Sequence, residues 1–406
     1  MFHPHCGEQP TSARSLGYFQ RHHAFLIKSF SSPETILPNP FPPRKHTSHF
    51  PFTMKSSHTL SSLLLLTAST TNAALTYKGV DWSSLPVEEN SGFSYSTTSG
   101  TTTPLETILS TSGVNTVRQR LWNNPSDGNY NLDYNLALAA RAQAAGLEVY
   151  LDFHYSDTWA DPSHQTTPAA WAEYGIDDLA WAVYNYTLDS MKAFSAAGIP
   201  LALVSIGNEI TNGLLWPLGE LDSNPYNTAR LLHSASAGVK DSGLATQPKI
   251  LIHLDNGWDY ETQEYWYDTV LEQGPFLETD YDVQAVSYYP FYNSGASLAK
   301  LQSSLASMKS KYGKEVMVVE TDWPTSCPDP AYAFPEDASD IPFSAEGQTE
   351  WMKDVAGVVE EVGGTGLFYW EPAWIDNAAL GSSCADNLMV DQSGQALSSL
   401  SVFEDI

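Results

Sequence analysis

Three glutamates close short apolar runs in this chain: Glu209 in "LALVSIGNEI", Glu320 in "EVMVVETDW" and Glu371 in "GTGLFYWEPAW". A carboxylate beside buried Val and Ile is costly to desolvate unless it is hydrogen-bonded or paired. Two such groups facing one acetal would have a use. One, protonated, gives its proton to the leaving oxygen, while the other stays ionised on the opposite side of the sugar ring. Close carboxylates resist double ionisation, and a nearby cation keeps one of them charged. Arg118, from "NTVRQRLW", is placed to be that cation. A gap of about 5–5.5 Å between the carboxyl groups means retention at the anomeric carbon, and about 6.5–9.5 Å means inversion.

A lone glutamate at a strand end is more often an ion-pair partner or a cap than a catalyst. A matched pair in a tryptophan-rich setting reverses that preference, and the expectation here is Glu209 with Glu320, leaving Glu371 as a structural hydrogen-bond partner. Other chemistries find less support. His154 and His253 could be metal ligands, but the chain has neither an HxH on its first strand nor an HExxH anywhere. A serine nucleophile lacks its GxSxG turn. Neither a metal nor a cofactor is expected.

The elements that must position these residues are legible from Lys78 onward. Short apolar runs recur at 78–83, 115–122, 147–155, 201–210, 249–257, 283–292, 315–323 and 364–374. Several are nearly continuous, as strands covered on both faces should be. Segments with three-to-four-residue periodicity lie between them, at 104–113, 132–146, 179–198, 229–243, 261–274, 297–313 and 349–364, with a last helix expected at 394–403. Most end at glycine, which closes a helix in the left-handed conformation at little cost. Eight strand–helix units predict a single-domain (β/α)8 TIM barrel. An open doubly wound sheet fits less well, because no Gly-rich phosphate turn follows the first strand. In the barrel, Asp81, Arg118, His154, Glu209, Asp255, Tyr289, Glu320 and Trp370 fall late in their strands or just after them, at the end where active sites of this fold gather.

The first part of the chain reads differently. Residues 1–53 are rich in His, Pro, Ser and Phe without sustained periodicity, and are expected to be an upstream extension, disordered or belonging to a misassigned start. "MKSSHTLSSLLLLTASTTNAALTYKG" then has the layout of a secretory signal, with a lysine near its start, a short apolar stretch and small residues before a cleavage site after Ala73. The expected domains are thus 1–53, a leader at 54–73 and a secreted, extracellular catalytic domain at 74–406. Without residues 1–73, which hold six Lys/Arg and two acids, 13 bases face 45 acids, a net charge of −32. Such a surface repels nucleic acid and anionic membranes, so neither is an expected partner. A monomer is the default. Cys327 and Cys384 remain after processing and favour one disulfide in a secreted chain. Asn185 opens an N-x-T sequon, a candidate glycosylation site.

Together, "KGVDWSS", "NTVRQRLW", "DFHYSDTWADP", "SIGNEI", "HLDNGWD", "ETDWP" and "FYWEPAW" resemble the arabinogalactan endo-β-1,4-galactanases of glycoside hydrolase family 53, with the motifs in order from about Ala74 to Ile406. The resemblance implies that Glu209 is the acid/base and Glu320 the nucleophile. It implies that Asn208 hydrogen-bonds the sugar 2-hydroxyl, and that Arg118 and Tyr289 hold the nucleophile ionised and oriented. Trp159, Asp255, Trp258 and Trp370 resemble sugar-binding positions, and His154 and His253 supports of the site. A Cys327–Cys384 disulfide would tie the loops after strands seven and eight. The polysaccharide partner so implied is β-1,4-galactan in the side chains of pectin. The alternatives are a β-mannanase or β-glucanase of the same clan, and a carbohydrate-binding barrel without catalysis.

Overall fold

The computed structural model describes residues 74–406; the extension at 1–53 and the leader at 54–73 lie outside the described residues. Eight parallel strands close a barrel in chain order. They are β1 (Tyr77–Asp81), β2 (Thr116–Leu121), β3 (Glu148–Phe153), β4 (Leu203–Ser205), β5 (Lys249–Leu254), β6 (Val283–Ser287), β7 (Glu315–Glu320) and β8 (Gly366–Tyr369). The helices are α1 (Leu85–Asn90), α2 (Leu105–Thr111), α3 (Leu132–Ala144), α4 (Ile176–Ala196), α5 (Pro225–Lys240), α6 (Tyr260–Leu271), α7 (Leu298–Tyr312) and α8 (Ala345–Glu361). Among the described residues no helix is long and apolar enough to cross a membrane.

Two helical features differ from the sequence expectation. A short helix, α1, precedes α2 in the first connection. The expected helix at 394–403 is instead a 3-10 segment, Ser398–Glu404. Its buried Leu400 and Phe403 stand three apart, the period of a 3-10 turn. Serine hydroxyls also compete there for backbone and side-chain partners: Ser401 bonds the Ser398 carbonyl, and Ser399 donates to Gln348 of α8 at 2.7 Å.

The strands pack in two directions. Val80, Val117, Leu151, Val204, Ile252, Val318 and Leu367 face the helices, while Tyr77, Tyr150, Leu203, Leu251, Met317 and Phe368 fill the barrel interior. This alternation is the period-two pleat of each strand. The filled lower interior makes a floor, and the side chains above it are polar, which leaves an open basin at the carboxyl end of the strands.

The basin is shaped by how the strands end. All eight finish sooner than their apolar runs; β4, for example, stops at Ser205 rather than running to Ile210. Residues just past several strands take left-handed conformations: Tyr155 after β3, Glu209 after β4, Asn256 after β5 and Glu371 after β8, with φ between 46° and 49°. For non-glycine residues that conformation costs of order 1–3 kcal/mol and persists only where surroundings impose it. Gly207, at φ 132°, allows the turn that brings Glu209 around, since a Cβ there would lie 2.7 Å from Ile210. At the end of β7 the register slips, so that Ser287 pairs with Glu320 after Val286 pairs with Val318. Val319 already points inward. The extra residue turns Glu320 to the same side, the re-aiming that a bulge performs beside a functional site.

Candidate active site

A cavity of about 480 Å³ opens at the carboxyl end of the barrel. Arg118, His154, Trp159, Asn208, Glu209, Asp255, Tyr289, Glu320 and Trp370 all line it. The family resemblance names eleven site residues, and these nine meet in one place. His253 lies fully buried just beneath, with Nε2 2.8 Å from the Oγ of the cavity residue Ser287. Trp258 stands apart. It donates from Nε1 to Asn256 at 3.2 Å, and the Lys300 ammonium lies 5.0 Å from its ring centre, outside the cavity wall.

Carboxylate oxygens of Glu209 and Glu320 come within 4.8 Å of one another, and a ring nitrogen of His253 lies within the same distance of both. These three donors could hold a metal ion, but each has another use here. Arg118 Nη1 is 2.8 Å from Glu320 Oε1, and the Tyr289 hydroxyl donates to Oε2 at 2.8 Å. Burial leaves the Glu320 carboxyl above its ordinary value, although Arg118 and Tyr289 pull it down. Among the described residues Glu209 has no cation in contact. Burial, then the charges of Glu320 and Asp255, raise it well above the usual carboxylate range, against weaker pulls from Ser287 and Arg118. The two glutamates are chemically unequal: Glu209 is raised the further, while Glu320 has a guanidinium and a phenol that favour its anion.

Arg118 itself sits mid-strand in β2, not at its end; its long side chain rises through the interior to the basin. Besides Glu320 it binds Asp81 at 2.8 Å and Asp152 at 2.9 Å, and donates to Asn208 Oδ1 at 2.7 Å. Asn208 also donates from Nδ2 to the Ala160 carbonyl at 2.8 Å, so its amide orientation is fixed from both sides. His154 Nε2 lies 3.1 Å from Asp152, while Nδ1 accepts from Trp122 Nε1 and from the Ala160 backbone. Burial disfavours charge on Asp152, but Arg118 and His154 outweigh it and hold the carboxyl at about 2. Burial keeps both His154 and His253 below their usual range and therefore neutral near pH 7.

The opposite wall is aromatic. Trp159, Trp370 and Trp374 cluster with ring centres 6.0–6.3 Å apart. Flat apolar faces beside hydrogen-bonding groups suit the faces of sugar rings. A tryptophan wall, paired unequal glutamates and a position at the strand ends of a closed barrel make a site for sugar chemistry.

Comparison with known proteins settles the lineage. Residues 77–403 match the family described as Glycosyl hydrolase family 53. The chain belongs to family 53. It is 64% identical over 334 residues to the arabinogalactan endo-beta-1,4-galactanase of Humicola insolens, covering 82% of this chain and all of that one. It is 60% identical to arabinogalactan endo-beta-1,4-galactanase A of Aspergillus niger, covering 86% and 98%. A solved fungal beta-1,4-galactanase superposes with a TM-score of 0.81 at 62% identity, covering 82% of this chain and 100% of that one. The family 53 catalytic domain of Ignisphaera aggregans, at 32% identity, covers 81% and 95% with a TM-score of 0.72.

Several residues of this family 53 site escaped the sequence reading. Asp152 and Arg120 carry two of its buried charges, yet each looks like one polar residue inside a strand. The available signal was parity: Asp152 shares its inward face with His154, and Arg120 with Arg118. Ser287, Tyr292 and Asn256 also line the cavity. Asp322, two residues past Glu320, is buried and pushed well above its usual range by burial and by Glu320. Glu371, by contrast, is the structural hydrogen-bond partner expected from the sequence: it accepts from Ser84 N and Oγ at 2.9 and 2.8 Å and pairs with Arg120 at 2.5 Å. The Cys327–Cys384 disulfide is formed, joining the loops after β7 and β8 across 57 residues. Asn185 lies exposed on α4.

Proposed function

We propose that this protein is a secreted, retaining endo-hydrolase of β-1,4-galactan, acting on (arabino)galactan side chains of pectin. Sequence likeness to named galactanases at 60–64% identity supports the substrate. The observation that carries the mechanism is the approach of Glu209 and Glu320 to within 4.8 Å, with Arg118 on Glu320 alone. That approach fits the shorter carboxyl separation of a double displacement, about 5–5.5 Å, better than the gap that must admit a water in an inverting enzyme.

In the first step the ionised Glu320 attacks the anomeric carbon, and Glu209 gives its proton to the departing glycosidic oxygen. The C–O bond to the leaving sugar breaks as the ester to Glu320 forms. In the second step Glu209, now ionised, takes a proton from water, whose oxygen displaces Glu320 at the same carbon. Arg118 and Tyr289 keep Glu320 anionic and aimed. Asn208, fixed by Arg118 and Ala160, meets the 2-hydroxyl of the ring under attack. Asp255, Trp159 and Trp370 bind neighbouring rings. The domain plan goes with this reading: an extension at 1–53, a leader at 54–73 removed on export, and a glycan at Asn185.

Reducing-sugar release from galactan, mannan and cellulose, measured side by side, tests the substrate. Galactan should be cut in preference; mannan cut while galactan is not would replace the specificity. Glu320→Gln on the purified protein tests catalysis as against binding alone, because surviving activity would mean another mechanism or a contaminant.

A further inference from the structure

Arg120 lies beneath the tryptophan wall. Only 1% of it is exposed, yet it contributes to the lining of the same cavity as Trp159 and Trp370. Its Cζ is 4.2 Å from the Tyr130 ring centre, 4.5 Å from that of Trp159 and 5.1 Å from that of Trp374. Trp159 and Trp374 are themselves nearly parallel, at 20°, with centres 6.0 Å apart. They come from different loops, Trp159 from the one after β3 and Trp374 from the one after β8.

The cation cannot wander. Its Nη1 is 2.5 Å from Glu371 Oε1, and Nη2 donates to Ser84 Oγ at 2.6 Å. Glu371 is anchored in turn by the Ser84 backbone and hydroxyl. A planar guanidinium can lie against aromatic faces while its edge keeps ion pairs, which an ammonium cannot reproduce. A second route leads elsewhere: Nη1 is 3.6 Å from Asp81, which binds Arg118 and so reaches Glu320.

We infer that Arg120 is a positioning residue for substrate binding: clamped by Glu371 and Ser84, it fixes Trp159 and Trp374 as one platform for a pyranose ring of a neutral β-linked glycan. It acts through the tryptophans, not through the nucleophile. This rests on the proposed polysaccharide substrate, and the test separates the two ideas.

Galactotetraose is titrated by calorimetry and tryptophan fluorescence into Glu320→Gln protein, and into the same protein carrying Arg120→Lys, Trp159→Ala or both. Losing the stacked guanidinium while keeping the charge should weaken binding about tenfold. Trp159→Ala should weaken it at least as much, and the double change no further than Trp159→Ala alone, because both remove one platform. In the otherwise unaltered enzyme Arg120→Lys should raise KM about tenfold and leave kcat within about threefold. Losses that multiply in the double variant, or a fall in kcat with unchanged affinity, would overturn the inference and favour the route through Asp81. If Arg120→Lys lacks the parent's near-ultraviolet circular dichroism, Trp374→Leu takes its place: weaker binding is expected, and unchanged binding overturns the inference. If the parent ignores galactotetraose but binds mannotetraose, the galactan reading has failed, and the same cycle on mannotetraose decides the role of Arg120.

Discussion

Glu209 and Glu320 approach within 4.8 Å, yet among the described residues only Glu320 touches a guanidinium, that of Arg118 at 2.8 Å. The inequality has a backbone origin. Glu320 is the last residue of β7, turned inward by the bulge, where the mid-strand Arg118 can reach it. Glu209 stands four residues past the end of β4, on a left-handed turn, beyond that contact. The chain thus separates an acid from an anion by where each strand stops.

Removing either carboxyl should abolish different parts of the reaction. Glu209→Gln is expected to lose roughly 10²–10⁴-fold in kcat on galactan, the usual worth of general acid–base help. Glu320→Gln should lose more, since no intermediate can form. Steady-state kinetics on purified variants check both, and a loss under tenfold for Glu209→Gln would move its role to another residue.

The pH profile follows from the same pair. Activity needs Glu320 ionised and Glu209 protonated, so the alkaline limb of kcat/KM reports loss of the Glu209 proton. The Ser287 hydroxyl pulls the Glu209 carboxyl down and so lowers its affinity for that proton. Ser287→Ala should therefore move the alkaline limb to higher pH. A shift to lower pH would contradict that pull.

Asp152 supplies a stability test with a definite sign. Its folded carboxyl titrates at about 2, against an ordinary 3.8, because of Arg118 and His154. A depressed acid contributes stability that is complete above about pH 4 and is lost as pH falls through its folded value, roughly 2 kcal/mol in all. Asp152→Asn should remove that portion of the acid sensitivity between about pH 4 and 2. It should also lower stability near neutrality by about 3 kcal/mol, since Arg118 loses one buried partner. Urea unfolding across that pH range measures both.

The disulfide offers a simpler check. Opening it by Cys327→Ser with Cys384→Ser frees a loop of 57 residues, which in the chain-entropy view costs about 4 kcal/mol. The unfolding midpoint should fall while the far-ultraviolet spectrum at low temperature stays that of the barrel.

The barrel was readable because each strand–helix unit repeats the same two signals, an apolar run and a glycine-closed helical period. Gly146, Gly198, Gly243, Gly274, Gly313 and Gly363 all take positive φ just past a helix. The polar residues at strand ends were readable for the same reason. Strand limits were not, since an apolar run continues past the last ladder bond: Ile206 is buried against the helices although β4 has ended. Nor was the inward turn of Glu320, because simple alternation from Val319 would send it outward. Glu371 was legible as a structural hydrogen-bond partner, but Arg120 was hidden, its charge neutralised by Glu371 beneath tryptophans that the sequence did reveal.

The central claim is most directly tested by trapping the reaction half-way. A 2-deoxy-2-fluoro-galactobioside with a good leaving group should acylate the enzyme, and peptide mass mapping should find the sugar on Glu320. A label on another carboxylate, or turnover without any label together with an inverted anomeric product, would contradict the account.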